Sequence, residues 1–155
     1  MRTLLLAATL VAGWLGVGAT SWAGEPAAVE VTSVRDFQAL GQRAEARDLP
    51  ILLMFSSPFC SYCELVQEDF LEPMLRSGDY DDRVLIAKVQ MVVGSRKITD
   101  FQGESITIDA LAARYDVGLT PTVVFLDSEG HALAENLEGI TTTAYYGGYL
   151  DDGID

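Results

Sequence analysis

The sequence predicts an α/β fold in which a central mixed β-sheet is flanked by helices, behind an N-terminal targeting segment. A continuously apolar run at 51–55 and a mostly apolar one at 122–126, both of strand length, alternate with stretches whose apolar residues recur at helical spacing. A turn signal, Asp127-Ser128-Glu129-Gly130, joins the second run to a further stretch closely enough to make the two antiparallel. No charge stands between Thr3 and Gly24.

That uncharged opening has the form of an export signal. Arg2 and the amino terminus precede an apolar stretch at 4–15, and Ser21-Trp22-Ala23 offers a small-x-small cleavage pattern. Cleavage near Ala23 makes 1–23 a signal peptide, 24–29 a flexible lead-in and 30–155 the folded domain. Val17-Gly18-Ala19 is a second exit, and the uncharged stretch also reaches the ~20 residues that span a bilayer, so an uncleaved anchor is the alternative. Either way the domain is expected in the periplasm, free or membrane-anchored.

Downstream, Ser33 is placed to cap a helix over 34–47 with Val34, Phe37, Leu40 and Ala44 along one side. Ile51-Leu52-Leu53-Met54-Phe55 lacks the polar alternation of a half-exposed strand and is expected to be covered on both faces. A second helix is expected over 61–75, with Leu65, Val66, Phe70 and Leu71 as its apolar positions and Pro73 kinking or ending it. Residues 84–93 read as a strand, 94–105 as a polar connection, and 108–115 as a helix carrying Leu111, Ala112 and Tyr115 on one face. The hairpin then pairs 122–126 with 131–137. The last stretch, 142–150, is amphipathic through Tyr145, Tyr146, Tyr149 and Leu150, although Gly147-Gly148 weakens it as a helix. From residue 51 the order is βαβαββα, with a short extra strand near 29–31 and no internal repeat.

After the leader, ~130 residues remain, one domain's worth, enough to bury roughly two thirds of the unfolded surface without covalent staples. The whole chain holds 23 acidic and 10 basic residues, a net charge of −13. Such a surface repels phosphate backbones and anionic lipids, so nucleic acid is not expected as a partner.

Cys60 and Cys63 are the only cysteines of the chain. A disulfide across two intervening residues closes a very small loop and removes little unfolded-state entropy, which makes it a poor staple but a cheap bond to break. Strand 51–55 runs through Ser56-Ser57-Pro58-Phe59 into a helix, putting Cys60 at the helix start and Cys63 one turn on, along the same face. That spacing suits a disulfide, and the unpaired N–H groups of a helix start favour a thiolate on Cys60, below the ~8.5 of a free thiol. Cys60 is thus the expected attacking sulfur and Cys63 the resolving one. A merely structural pair is the alternative. Zinc wants four ligands, and beyond the two thiols the chain offers only His131, on the expected turn, where it reads as a surface residue. Copper could take thiolates with Met54 or Met91, but both lie in strands and are expected in the core. No metal site and no cofactor is assigned.

In Leu119-Thr120-Pro121-Thr122 a proline stands just before an apolar strand, a position tolerated only at a strand's start or edge. Its isomer decides how Thr120 is presented.

Apolar strand, Cys60-Ser61-Tyr62-Cys63, helix, strand, helix, Thr120-Pro121-Thr122, strand, turn, strand, helix: this order resembles the thioredoxin superfamily. More narrowly, Thr99-Asp100-Phe101-Gln102-Gly103-Glu104, Leu111-Ala112-Ala113-Arg114-Tyr115-Asp116-Val117, Thr120-Pro121-Thr122-Val123-Val124-Phe125-Leu126-Asp127 and Tyr145-Tyr146 are similar to SoxW-type thioredoxin-related proteins. The resemblance covers residues 30–150 and implies a thioredoxin fold, dithiol/disulfide exchange, and a cis bond at Pro121 facing the cysteines. It also implies that Thr120 pairs its backbone with an extended client segment, as in strand addition. Phe59 stands where thioredoxins often carry tryptophan, one apolar platform exchanged for another. Met54, six before Cys60, occupies the place of thioredoxin's buried acid, so that proton-transfer role is vacant. Lys88 matches the lysine that accompanies this acid and, lacking its partner, is expected to point to solvent. Glu64 and Glu68 read as water-linked proton relays or as ordinary exposed helix carboxylates. The candidate site is therefore Cys60 and Cys63 for exchange, Phe59, Thr120 and Pro121 for substrate, and Glu64 with Lys88 for proton relay.

A dithiol is strongly oxidising when its reduced thiolate is stabilised, whereas Glu64, Glu68, Asp69 and the net negative charge oppose a thiolate on Cys60. The expectation is a monomeric, exported protein-disulfide reductase, acting on disulfide-bonded client proteins and recharged by a thiol-type electron donor in the membrane. Two other classes stay open: a copper or zinc carrier, and a noncatalytic thioredoxin-fold adaptor that binds partners through Thr120 and Pro121.

Overall fold

The computed structural model of the protein describes residues 29–92, 96–140 and 142–155. The expected signal peptide at 1–23 and all but the last residue of the lead-in lie outside the described residues. In chain order the elements are α1 (Phe37–Arg47), β1 (Ile51–Ser56), α2 (Ser61–Val66), a π-helical turn (Gln67–Leu71), α3 (Glu72–Ser77), β2 (Leu85–Gln90), β3 (Lys97–Thr99), β4 (Ser105–Thr107), α4 (Ile108–Arg114), β5 (Thr122–Leu126), β6 (Leu137–Glu138) and α5 (Thr143–Ile154).

The sheet runs β2-β1-β5-β6, with β1 parallel to β2 and antiparallel to β5, and β5 antiparallel to β6. It is a thioredoxin fold. All six residues of β1 are buried, and their alternation feeds two cores. Ile51, Leu53 and Phe55 pack with Phe37, Leu40, Leu111 and Tyr115 from α1 and the α4 end, while Leu52 and Met54 pack with Val66, Leu71, Met74, Tyr146 and Leu150 from α2, the π turn, α3 and α5. A strand covered on both faces has no use for polar alternation, which is why 51–55 is apolar throughout. Among the described residues no helix is long and apolar enough to cross a membrane.

Several element boundaries differ from the sequence reading, each for a local reason. Helix α1 starts at Phe37, and Asp36 rather than Ser33 caps it, its side chain accepting the Ala39 N–H at 2.9 Å. Ser33 is held elsewhere: residues 32–34 lie along the outer edge of β2, with the Val34 N–H on the Lys88 carbonyl at 2.8 Å and the Lys88 N–H on Thr32 at 2.9 Å. The extra strand expected near 29–31 is this single bridge at Ser33, and it covers an edge that would otherwise stay open. Helix 61–75 is three segments reaching Ser77, with the π turn in the middle and Pro73 in the first turn of α3. A proline cannot donate to the carbonyl one turn back, and restarting the helix at Glu72 moves it to a position where that donor is not needed.

The polar connection at 94–105 contains structure that its composition hid. Lys97, Ile98 and Thr99 pair with Thr107, Ile106 and Ser105 as a separate hairpin, β3-β4. Its turn is organised by Asp100, which is fully buried and accepts from the Glu104 N–H (2.7 Å), the Gln102 N–H (3.0 Å) and Arg114 Nη2 (2.9 Å). The return strand expected over 131–137 is also interrupted. Ala132 bridges Leu126 and the Leu133 N–H donates to the Phe125 carbonyl at 2.8 Å, residues 134–136 leave the ladder, and Leu137–Glu138 pairs again with β5; Asn136 instead caps the end of the preceding helix by donating to the Tyr115 carbonyl at 2.7 Å. The final helix runs on to Ile154, past the expected end at 150. Its Gly153 lies so close to the Phe125 ring that a Cβ would come within 2.4 Å, so this glycine is a packing requirement rather than a weakness.

Burial pushes the Asp100 carboxyl up, but the hydrogen bonds from Glu104, Arg114 and Gln102 outweigh it and hold it below 3.8. A carboxylate with a depressed folded pKa stabilises the fold above its unfolded value and loses that contribution as pH falls through the folded one. Asp100→Asn should therefore lower stability by about 2 kcal/mol at pH 7, and the gap to the wild type should close as urea titrations are repeated below pH 4.

Candidate active site

Strand β1 ends in Ser56, whose carbonyl accepts the Met91 N–H at 2.6 Å. Three residues later Phe59 takes φ +60, a left-handed conformation that a bulky side chain adopts only when its surroundings hold it there. The twist leaves the Phe59 ring fully exposed and swings Cys60 into the N-cap of α2. From there the Cys60 carbonyl accepts the Glu64 N–H at 3.1 Å and the Cys60 sulfur accepts the Cys63 N–H at 3.2 Å.

The two cysteines are joined as a disulfide, with 5.2 Å between their Cα atoms. They are not equivalent. Cys63 is 3% exposed, beneath the helix start, while Cys60 is only half-buried. An incoming sulfur reaches Cys60 first.

The second wall of the site comes from β5. Because β5 is antiparallel to β1 and Thr122 lies opposite Phe55, the residues that lead into β5 sit beside those that leave β1. The Thr120–Pro121 peptide is cis. This loop is pinned from three sides: the Thr122 hydroxyl donates to the Leu119 carbonyl (2.9 Å), the Gly139 N–H donates to the Pro121 carbonyl (2.8 Å), and Thr120 Oγ1 shares a 2.7 Å hydrogen bond with Ser57 Oγ. Cys60 Sγ lies 3.7 Å from the Thr120 carbonyl oxygen and 3.8 Å from its Oγ1. Among the described residues no backbone hydrogen bond uses the Thr120 N–H or C=O, so both remain available to a second polypeptide. Phe59, Tyr62 and Leu119, neighbours in sequence of Cys60 and Thr120, are exposed apolar groups around the disulfide.

The structure thus brings Phe59, Cys60, Cys63, Thr120 and Pro121 together; the two relay candidates face other surroundings. Glu64 is exposed on α2. Lys88 does not point free into solvent as expected: it is half-buried, and its Nζ donates to Gln67 Oε1 at 2.5 Å. Gln67 in turn donates to Glu72 at 2.8 Å, and Arg76 lies 3.6 Å from Glu72. The π turn therefore supplies Lys88 with an amide partner in place of an acid, while Met54, opposite Lys88 in the register, is fully buried in the core. Sequence reasoning missed Ser57, whose only signal was a hydroxyl three residues before Cys60.

Cys60, Cys63 and His131 are not assembled into one site. His131 follows the end of β5 that pairs with Ile51, whereas the cysteines follow the opposite end of β1, so the length of the strand, roughly 17 Å, separates them. His131 is instead part of the turn after β5, where Asp127 Oδ1 accepts the N–H groups of Glu129 (2.9 Å) and His131 (2.8 Å) and Asp127 Oδ2 meets the His131 ring at 3.0 Å. Met54 is buried and Met91 packs partly buried against the core.

The unequal exposure of the two sulfurs makes a direct prediction. When the reduced protein is treated at pH 7 with a limiting amount of iodoacetamide, peptide mapping should find the label on Cys60, with Cys63 modified only after unfolding. Equal labelling of both would contradict the burial of Cys63.

Comparison with known proteins agrees with this geometry. A family model described as a thioredoxin-like domain matches residues 37–154, and no curated protein matches the chain significantly. Among solved structures the chain is similar to one titled DsbH oxidoreductase (19% identity, TM-score 0.59, covering 84% of this chain and 89% of that one). It is also similar to a poplar thioredoxin h (16%, TM-score 0.54, covering 80% and 96%) and to a thioredoxin-fold protein from Helicobacter pylori (27%, TM-score 0.51, covering 68% and 70%). The first two likenesses concern the fold alone. The family match takes in the cysteine pair, the proline loop and every strand of the sheet, and on that span the chain belongs to the thioredoxin-like domain family.

Proposed function

We propose that this protein is an exported thiol-disulfide oxidoreductase that reduces disulfides of client proteins. The observation that carries the proposal is the Cys60–Cys63 disulfide at the start of α2, with its half-buried sulfur beside the unpaired backbone of Thr120.

The reduced protein acts in two steps. The Cys60 thiolate attacks one sulfur of a client disulfide; that S–S bond breaks, the other client sulfur leaves with the electron pair and takes a proton, and Cys60 is joined to the client. Cys63 then loses its proton and attacks Cys60 Sγ, which forms the internal disulfide and releases the second client thiol. Two electrons and two protons have passed to the client. The Cα separation of 5.2 Å lets this second step proceed without moving the backbone. Extended client backbone pairs with the Thr120 N–H and C=O, and Phe59 offers an apolar platform beside the attacked bond. Main-chain pairing gives little side-chain selectivity, which suits a reductant of many clients.

Reduction rather than oxidation is favoured by charge. Glu64, Glu68 and Asp69 are exposed on the helix that carries the cysteines, and each raises the free energy of a thiolate on Cys60. A reductant in the periplasm must be recharged by a thiol-type donor in the membrane, and the uncharged opening of the chain supports export. The likeness of residues 99–104, 111–117 and 120–127 to SoxW-type proteins supports the narrower assignment within the family.

In an insulin reduction assay driven by dithiothreitol, the wild type should accelerate precipitation and Cys60→Ser should fall to the uncatalysed rate. An adaptor would show no acceleration even as the wild type. At equilibrium with glutathione the wild-type pair should lie below about −180 mV; a value near −120 mV, that of the strongest periplasmic oxidants, would contradict the reductive direction.

A further inference from the structure

We propose that Ser57 is a positioning residue for the attacking sulfur: its hydroxyl aims the Thr120 hydroxyl at Cys60 and so sets how readily Cys60 ionises. The inference rests on the exchange activity proposed above.

Ser57 Oγ and Thr120 Oγ1 are 2.7 Å apart, and Thr120 Oγ1 is 3.8 Å from Cys60 Sγ. Two hydroxyls that share one hydrogen bond have one hydrogen left over. If Thr120 donates to Ser57, the sulfur receives nothing from it; if Ser57 donates to Thr120, the Thr120 hydrogen is free to point at Cys60. A negative sulfur selects the second arrangement, and the Ser57 donation polarises the Thr120 hydroxyl into a better donor. Ser57 is therefore the residue that keeps the Thr120 hydrogen available.

The sulfur has few other sources of stabilisation. The segments on either side of it, 56–59 and 119–122, contain no ionisable side chain; on its own helix Tyr62 and Cys63 are the nearest titratable groups, followed by Glu64, Glu68 and Asp69. The acids disfavour the thiolate. Among the described residues the donors aimed at the sulfur are the Cys63 N–H at 3.2 Å and the Thr120 hydroxyl. In a chain of net charge −13, losing one of two such donors has a measurable effect.

The test is an ultraviolet titration of the thiolate in the fully reduced protein, read at 240 nm between pH 4 and about 8.5, below the range in which tyrosines ionise, on the wild type, Ser57→Ala, Ser57→Thr, Thr120→Val and the double variant Ser57→Ala/Thr120→Val. Ser57→Ala should lower the thiolate fraction at a fixed pH below the midpoint by roughly three- to tenfold, and Ser57→Thr should restore it. Thr120→Val should lower it by a similar factor, and the double variant should fall no further, since both changes remove the same hydrogen bond to sulfur. An unchanged titration in Ser57→Ala, or additive effects in the double variant, would overturn the proposal. A purely structural Ser57 would shift the melting temperature and leave the titration in place. Because the titration needs no client, its outcome is independent of the insulin assay, and failure of the exchange activity is told apart from failure of this inference.

Discussion

The register between β1 and β5 is the constraint on which the rest depends. Phe55 opposite Thr122 brings together two stretches that are 60 positions apart in sequence, so that Cys60 and Thr120 meet at one end of the sheet. What fixes that register is burial on both faces of β1. A slip by one residue would turn Leu53 and Phe55 toward α2 and α5, and Leu52 and Met54 toward α1, exchanging the side chains of both cores at once. Each large side chain so displaced is worth about 1.5–3 kcal/mol when properly buried, so alternative registers lie far above the native one. The position of the reactive sulfur is thus set by apolar packing that touches no sulfur.

Given that placement, the chemistry of Cys60 is a balance between charge and dipole. The acidic helix and the acidic chain push the sulfur toward the neutral thiol, whereas the N–H of Cys63 and the hydroxyl pair of Ser57 and Thr120 pull it toward the thiolate. Charge acts over a distance that salt shortens, about 8 Å at physiological ionic strength. Hydrogen bonds at the sulfur are not screened in that way. The two influences therefore respond differently to conditions: as ionic strength varies, the short-range part of the tuning stays constant.

The order of the main elements and the position of the cysteine pair were legible in the sequence because they rest on strong local signals. Five consecutive apolar residues mark β1, the Cys60 to Cys63 spacing marks a helix face, and Pro121 marks the start of β5. Less legible was whatever depended on partners distant in the chain. Ser33 looks like a helix cap until the open edge of β2 claims it. The β3-β4 hairpin has strands of only three residues, too short for a periodicity, and its organiser Asp100 is a buried charge whose three donors come from the turn and from Arg114 in α4. Lys88 was expected in solvent because its acid is replaced by Met54; that a π turn would lower Gln67 onto it is a property of the folded helix. Ser57 carried no signal beyond a hydroxyl three residues before Cys60, since its partner is 63 positions away.

The most direct test of how the two halves of the site cooperate is a structure of the Cys63→Ser variant captured with a disulfide-bearing peptide. The geometry requires the peptide to be bonded to Cys60 and to run extended along the proline loop, with hydrogen bonds to the Thr120 N–H and C=O. A peptide bonded to Cys60 but turned away from that loop, leaving the Thr120 backbone unpaired, would contradict the account, because the juxtaposition imposed by β1 and β5 would then have no part in recognition.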